Sequence, residues 1–226
     1  MVEADNRIER MCMESAPKRI GSVHPSDTSA LQAILGIHIS EHRFAADVTY
    51  SKGGFYKNGT IPQPLLKLDL HPQHDDVVEA DFTNLPMAAG TLDSIVFDPP
   101  FIVAAGKNSL IGNRFSSYPG IYALRLSYRR AIAELARVLV VGGRLVVKCQ
   151  DTISSGKYWA NTVYLCNVAE ANCLEVVDKL MVTSRRKMHG HNHHASNQAH
   201  TDRMHCVFWV FGKRSPGPLH CNNSVA

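Results

Sequence analysis

The chain has 226 residues, 45% of them hydrophobic and 19% charged, which is the length of one medium domain and the composition of an ordinary globular protein, so disorder is not the default reading. No run reaches the roughly 18 apolar residues of a membrane span, and the opening MVEADNRIERMCMES has no apolar leader core, so a cytoplasmic monomer or homodimer with no membrane partner is expected. The formal charge of +4 is uneven: residues 1–98 carry 8 basic and 14 acidic side chains, and residues 99–226 carry 16 basic and 6 acidic. The second half is expected to meet a polyanion, a solvated basic face being the plain alternative.

Residues 1–21 show no clean period and read as a flexible arm. A turn at "HPSD" then leads into "TSALQAILGI", whose Leu31, Ile34 and Leu35 recur at helical spacing behind an N-cap candidate, Ser26 or Asp27. From there strand-like and helix-like runs alternate. "RFAADVTY", "LLKLDLHP", "DVVEADF" and "LDSIVFDPPF" read as four strands, and "YALRLSYRRAIAELARVLVVGG" as a long helix closed by its glycines. "RLVVKCQD" reads as a fifth strand, "KYWANTVYLCNVAEANC" as a helix, and "LEVVDKLMVT" and "MHCVFWVFGK" as the last two strands. This pattern predicts an α/β, Rossmann-like fold: a seven-stranded, mostly parallel sheet with helices on both faces, one domain over 22–213 and a disordered tail over 214–226. Such sheets bind ligands at the carboxyl ends of their strands.

Polar residues fall at those ends. Asp47 closes the first strand before a turn containing Thr49, Ser51, Gly53 and Gly54, where glycines let a backbone approach a ligand. Asp69 ends the second strand and suits ribose hydroxyls. Asp81 ends the third, placed to accept from an adenine amino group while Phe82 packs on the ring. For any one of these, an ordinary Asp-rich turn is the alternative. Six cysteines contain no C-x-x-C pair and are expected to be reduced, with no disulfide framework, and the histidines at 189, 191, 193, 194 and 200 are irregularly spaced, so no metal is expected.

"DPPF", Asp98 to Phe101, resembles motif IV, [DNS]-P-P-[YFW], of the class I S-adenosylmethionine-dependent methyltransferases that modify exocyclic amines of bases. "DVTYSKGG" is similar to their motif I, D-x-x-x-G-x-G, with Ser51 standing where the pattern has its first glycine, and "SVHPSD" resembles motif X. The order X, I, II, III, IV is that of the gamma arrangement of DNA amino-methyltransferases, and the likeness spans residues 22–213. The resemblance implies S-adenosylmethionine as cofactor, held by His24, Pro25, Asp47, Thr49, Ser51, Gly53, Gly54, Asp69, Asp81 and Phe82. It implies catalysis at Asp98, Pro99, Pro100 and Phe101: the carboxylate and the Pro99 carbonyl accept the two N–H bonds of an amine whose lone pair is otherwise delocalised, and Phe101 stacks on a flipped base. DNA is the expected partner, with N6 of adenine as target and N4 of cytosine second. RNA base methylation and a non-catalytic nucleic-acid-binding protein on the same fold are the alternatives.

Two segments have the composition of nucleic-acid-contacting loops. One interleaves Lys107, Arg114, Arg125, Arg129 and Arg130 with Phe115, Tyr118 and Tyr122, and the other carries Arg185, Arg186, Lys187, His193 and Arg203. Ordinary solvated loops are the alternative reading.

Overall fold

The computed structural model describes residues 19–101, 103, 118–183, 199–201 and 203–215. In chain order the elements are β1 (Val23–His24), α1 (Asp27–His38), β2 (Ala46–Asp47), β3 (Leu66–Asp69), β4 (Val78–Glu79), β5 (Leu92–Phe97) and α2 (Ile121–Val138). Then come β6 (Leu139–Cys149), β7 (Thr152–Ser154), β8 (Lys157–Trp159), α3 (Asn161–Ala171), β9 (Leu174–Thr183) and β10 (His205–Lys213).

Eight strands form one sheet in the order β1-β9-β10-β6-β5-β2-β3-β4, and β7 and β8 form a separate hairpin. β10 runs antiparallel to β6 and β9, while the other pairs in the sheet are parallel. The eighth strand, beyond the seven expected, is β1, whose two residues pair with Met181 and Val182 at the sheet edge. Two residues are too short to carry a period.

Period-two alternation divides the core between the two faces. Ile95, Phe97, Leu145 and Val147 pack with Leu124, Tyr128, Ile132 and Leu135 of α2 and Leu165 and Ala169 of α3. Val96, Val146, Phe208 and Val210 pack on the other side with Ala30, Leu31, Ile34 and Leu35 of α1. Each fully buried Leu, Ile or Phe contributes about 1.5–3 kcal/mol, so the apolar stripes on both faces hold the three layers together. The Ser26 hydroxyl caps α1 by accepting from the Ser29 amide at 3.2 Å.

Two helical expectations are corrected. The long helix stops at Val138, and Gly142 and Gly143 lie inside β6 rather than closing a helix. Gly142 has φ +83°, and a Cβ on Gly143 would meet the carbonyl oxygens of Asp93 and Val140 at 2.9 Å, so the pair makes the bulge where the β5–β6 register shifts. The helix expected from Lys157 begins only at Asn161. Ser155 and Gly156 both adopt left-handed φ, 52° and 71°, the geometry of a two-residue type I′ turn, and this turn folds 152–159 into the β7–β8 hairpin. Cys149, Cys166 and Cys206 are free thiols, but the expectation of reduced cysteines is corrected at Cys173, which is disulfide-bonded. No helix among the described residues is long and apolar enough to cross a membrane.

Candidate active site

Parallel pairing of β3, β2, β5 and β6 aligns the carboxyl ends of these strands, so Asp47, Asp69 and Asp98 emerge along one edge of the sheet. Asp47 is 1% exposed. Its Oδ1 accepts from the Thr49 amide at 2.9 Å, and its Oδ2 from the Tyr56 hydroxyl at 2.8 Å. Burial pushes its carboxyl up to about 7 against the pull of these bonds, with Asp98 adding to the rise. Both oxygens therefore serve the turn from inside.

Thr49 connects that turn to the D-P-P segment, its hydroxyl oxygen accepting from the Asp98 amide at 2.7 Å. Ser51 sits at φ 50°, the left-handed conformation that favours glycine, and its amide donates to Asp69 Oδ2 at 2.8 Å. Gly53 is at φ +63°, and a Cβ there would lie 2.5 Å from the Tyr50 hydroxyl, so only glycine fits. Gly54 has open space around it.

Asp69 is half-buried, and its Oδ1 accepts from the His71 amide at 2.8 Å. Asp81 is exposed, with Oδ1 taking both the amide and hydroxyl of Thr83 at 2.8 Å. Phe82 lies edge-on to Phe97 at 5.1 Å between ring centroids. His24 is buried, its Nδ1 3.0 Å from the Ser29 hydroxyl, and its Nε2 is buried with no hydrogen-bond partner. Pro25 beside it is exposed.

Asp98 directly follows β5. Its side chain is 26% exposed, and Oδ2 lies 3.5 Å from Lys148 Nζ. The same ammonium is 2.9 Å from Asp27 Oδ2 and only 13% exposed, and it sits over the rings of Phe55 and Phe208 at 5.2 and 5.8 Å. A carboxylate, a lysine and a second carboxylate thus form a chain from the start of α1 through mid-sheet to the D-P-P segment. Burial, with help from Asp27, pushes Asp98 up to about 6, while Lys148 pulls it down. Burial opposes the Lys148 charge, but Asp98 and Asp27 outweigh it and hold the amine above the ordinary lysine value. Pro99 is buried, and Pro100 and Phe101 are half-buried.

Lys148, Asp27 and Tyr56 were not anticipated as site residues. The available signal was a lysine inside the apolar run "RLVVKC" of a central strand, since lysines are rarely buried unless paired. Of the expected nucleic-acid contacts, Tyr118 is half-buried, packed on the main core, with its hydroxyl 2.8 Å from that of Ser127. The Arg203 guanidinium lies 5.0 Å over the Tyr158 ring, beside the β7–β8 hairpin. Lys107, Arg114, Phe115, Arg185, Arg186, Lys187 and His193 lie outside the described residues. A cleft of about 400 Å3 opens where β5 and β6 begin, at the edge opposite Asp98.

The architecture is the class I methyltransferase fold. No family model matches the sequence, and no curated protein matches it significantly. Among solved structures, the [4+2]-cyclase SpnF matches with a TM-score of 0.52 at 15% identity, over 91% of this chain and 92% of that one. The N-methyltransferase NodS from Bradyrhizobium japonicum, in complex with S-adenosyl-L-homocysteine, matches with a TM-score of 0.48 at 14% identity, over 93% and 98% of the two chains. A candidate DNA modification methylase from Thermus thermophilus, complexed with S-adenosyl-L-methionine, gives 0.40 at 14% identity. The match covers 58% of this chain and spans about half, 52%, of the Thermus protein. Because this fold also serves a cyclase, the reaction must be argued from the site.

Proposed function

We propose that the protein transfers a methyl group from S-adenosylmethionine to the exocyclic amine of a base in DNA, N6 of adenine first and N4 of cytosine second. The observation that carries this reading is the Asp98 carboxyl at the end of β5, anchored through one oxygen by Lys148 and through its amide by Thr49.

The residues at the strand ends suit the cofactor. Asp69 keeps spare lone pairs for ribose hydroxyls, and Asp81 Oδ2 has no hydrogen-bond partner among the described residues. His24 Nε2 is a buried polar atom in need of one, in the segment that resembles motif X. Ser51 already adopts the conformation glycine would take, so the departure at that position leaves the turn intact. When bound, S-adenosylmethionine supplies an electrophilic methyl group on a sulfonium.

The chain's own task is to ready the amine. Asp98 Oδ1 has no hydrogen-bond partner among the described residues, and the Pro99 carbonyl follows immediately, on a backbone stiffened by two prolines. Two acceptors on the two N–H bonds draw the nitrogen lone pair out of the ring, and the carboxylate is placed to take the proton that the nitrogen sheds. A carboxyl near 6 is ionised at neutral pH yet close enough to it to accept that proton. Phe101 offers an aromatic face to an extruded base.

Incubation of the protein with labelled S-adenosylmethionine and unmethylated duplex DNA tests the reading. Label is expected in DNA with wild-type protein and not with Asp98→Ala, which should keep its calorimetric cofactor affinity within a few-fold. Label in structured RNA alone overturns the DNA substrate, and undiminished transfer by Asp98→Ala overturns the role of Asp98.

A further inference from the structure

We infer that the β7–β8 hairpin, with the start of α2, is a DNA-contacting blade that holds the strand flanking the target base; this rests on the reading of the protein as a DNA methyltransferase. β6 runs parallel to β5, with Val147 opposite Phe97. The chain leaving β6 therefore emerges on the same edge as Asp98, and it forms the hairpin there. α2 returns from that edge to feed β6, so its first turn, with Tyr122, lies on that side too.

Each face of the hairpin carries an aromatic ring with a cation on it. On one face Lys157 Nζ stands 4.6 Å from the Trp159 ring centroid, and Arg125 stacks between Trp159 and Tyr164 at 4.9 and 4.6 Å. Tyr122 meets Trp159 edge-on at 5.6 Å and is 76% exposed. On the other face Tyr158 is 43% exposed with Arg203 over it at 5.0 Å. The acid of this region, Asp151, is committed to the Tyr158 hydroxyl and to the amide and hydroxyl of Thr162 at the start of α3. The turn is tied down from outside, His200 Nε2 lying 3.0 Å from the Gly156 carbonyl.

Lys157 and Arg203 have no acidic partner among the described residues, whereas Arg125 is half-buried and donates to Asn161 Oδ1 and the Ala160 carbonyl, holding Trp159 in place. Exposed aromatic faces beside such cations are what a nucleic-acid strand needs: rings stack bases, and cations neutralise phosphates. A small polar ligand would not require two faces, and an apolar protein partner would not favour the two uncommitted cations, Lys157 and Arg203. The occupant that fits the charge and the position is DNA entering the Asp98 edge.

The test measures binding of a fluorescein-labelled duplex to the full chain by anisotropy across a salt series. Tyr122→Ala is expected to weaken binding about tenfold, the loss of one base–aromatic stack. Lys157→Gln is expected to lower the slope of log affinity against log salt by about one, the loss of one phosphate contact. Both side chains are exposed, and unchanged cofactor affinity checks that each variant is folded. Methyl transfer to DNA with unaltered affinity and salt slope in both variants overturns the blade and leaves the proposed function standing. Wild-type protein that binds cofactor but no duplex overturns both, and tighter binding of RNA through the same residues overturns DNA as the occupant.

Discussion

Replacing Lys148 by methionine removes the cation between two carboxylates while keeping the apolar stem that covers Phe55 and Phe208. The ammonium stands 3.5 Å from Asp98 Oδ2. At an effective dielectric of about 20, unit charges at about that separation attract by about 5 kcal/mol, a ceiling that sharing with Asp27 and contact with solvent reduce. A close opposite charge commonly moves a carboxyl by about 1–3 pH units, so the variant should lift Asp98 from about 6 to about 7–9, with about 8 the middle of that range. Asp27, Asp47, Tyr56 and Cys206 surround the pair, and all are neutral or negative when they ionise, so none can replace the lost cation. With a value near 8, only about a tenth of Asp98 would be carboxylate at pH 7. The kcat/KM for methyl transfer, followed from pH 5 to 9.5, should therefore fall about tenfold at pH 7 and recover by pH 9.5, with Asp27→Asn shifting the same limb downward. An acid limb that stays in place in Lys148→Met, or an equal loss at every pH, would refute the electrostatic role of the lysine.

Asp47 gives the opposite of the usual carboxylate linkage. Its folded value, about 7, lies above the ordinary 3.8 because burial disfavours the charge, so its contribution is full below pH 3.8 and is lost as pH rises through 7. Asp47→Asn should accordingly be more stable than wild type at pH 8, with a ceiling of about 4 kcal/mol for a rise of about three pH units that exchanging an acceptor oxygen for an amide lowers, and no more stable at pH 4; thermal melts at the two pH values check the sign. Ser51→Gly should raise stability by about 0.5–1 kcal/mol by relieving the left-handed strain, an effect a lower melting temperature would contradict.

The D-P-P segment was legible in the sequence because β5 is a continuous apolar strand ending at a residue whose chemistry is distinctive. The sheet was legible for the same reason, each long strand being bounded by turn residues. The charge chain was not, since Asp27 and Lys148 are 121 positions apart and nothing local relates a helix N-terminus to the middle of a strand. The hairpin is hidden in the sequence because "KYWANTVYL" has apolar residues at helical spacing, and only the left-handed pair Ser155–Gly156 outweighs that pattern. Gly142 and Gly143 misled in the reverse sense: a Gly-Gly after a helix resembles a cap, and it takes the approach of the Asp93 carbonyl to reveal a bulge.

The pairing of β1 with β9 also has a consequence in time. The Thr183 hydroxyl donates to the His24 carbonyl across 159 positions of chain, a loop whose closure entropy must be met before the contact returns anything. His24 is synthesised long before its partner strand and is seated only when that strand exists. β9 is made after every residue of the D-P-P edge, so the ribosome can release Asp98 and Lys148 well before the chain is able to close the segment around His24 against the sheet. On this topology the segment around His24 is the last to be seated, because β1 joins the sheet only through β9 and β10.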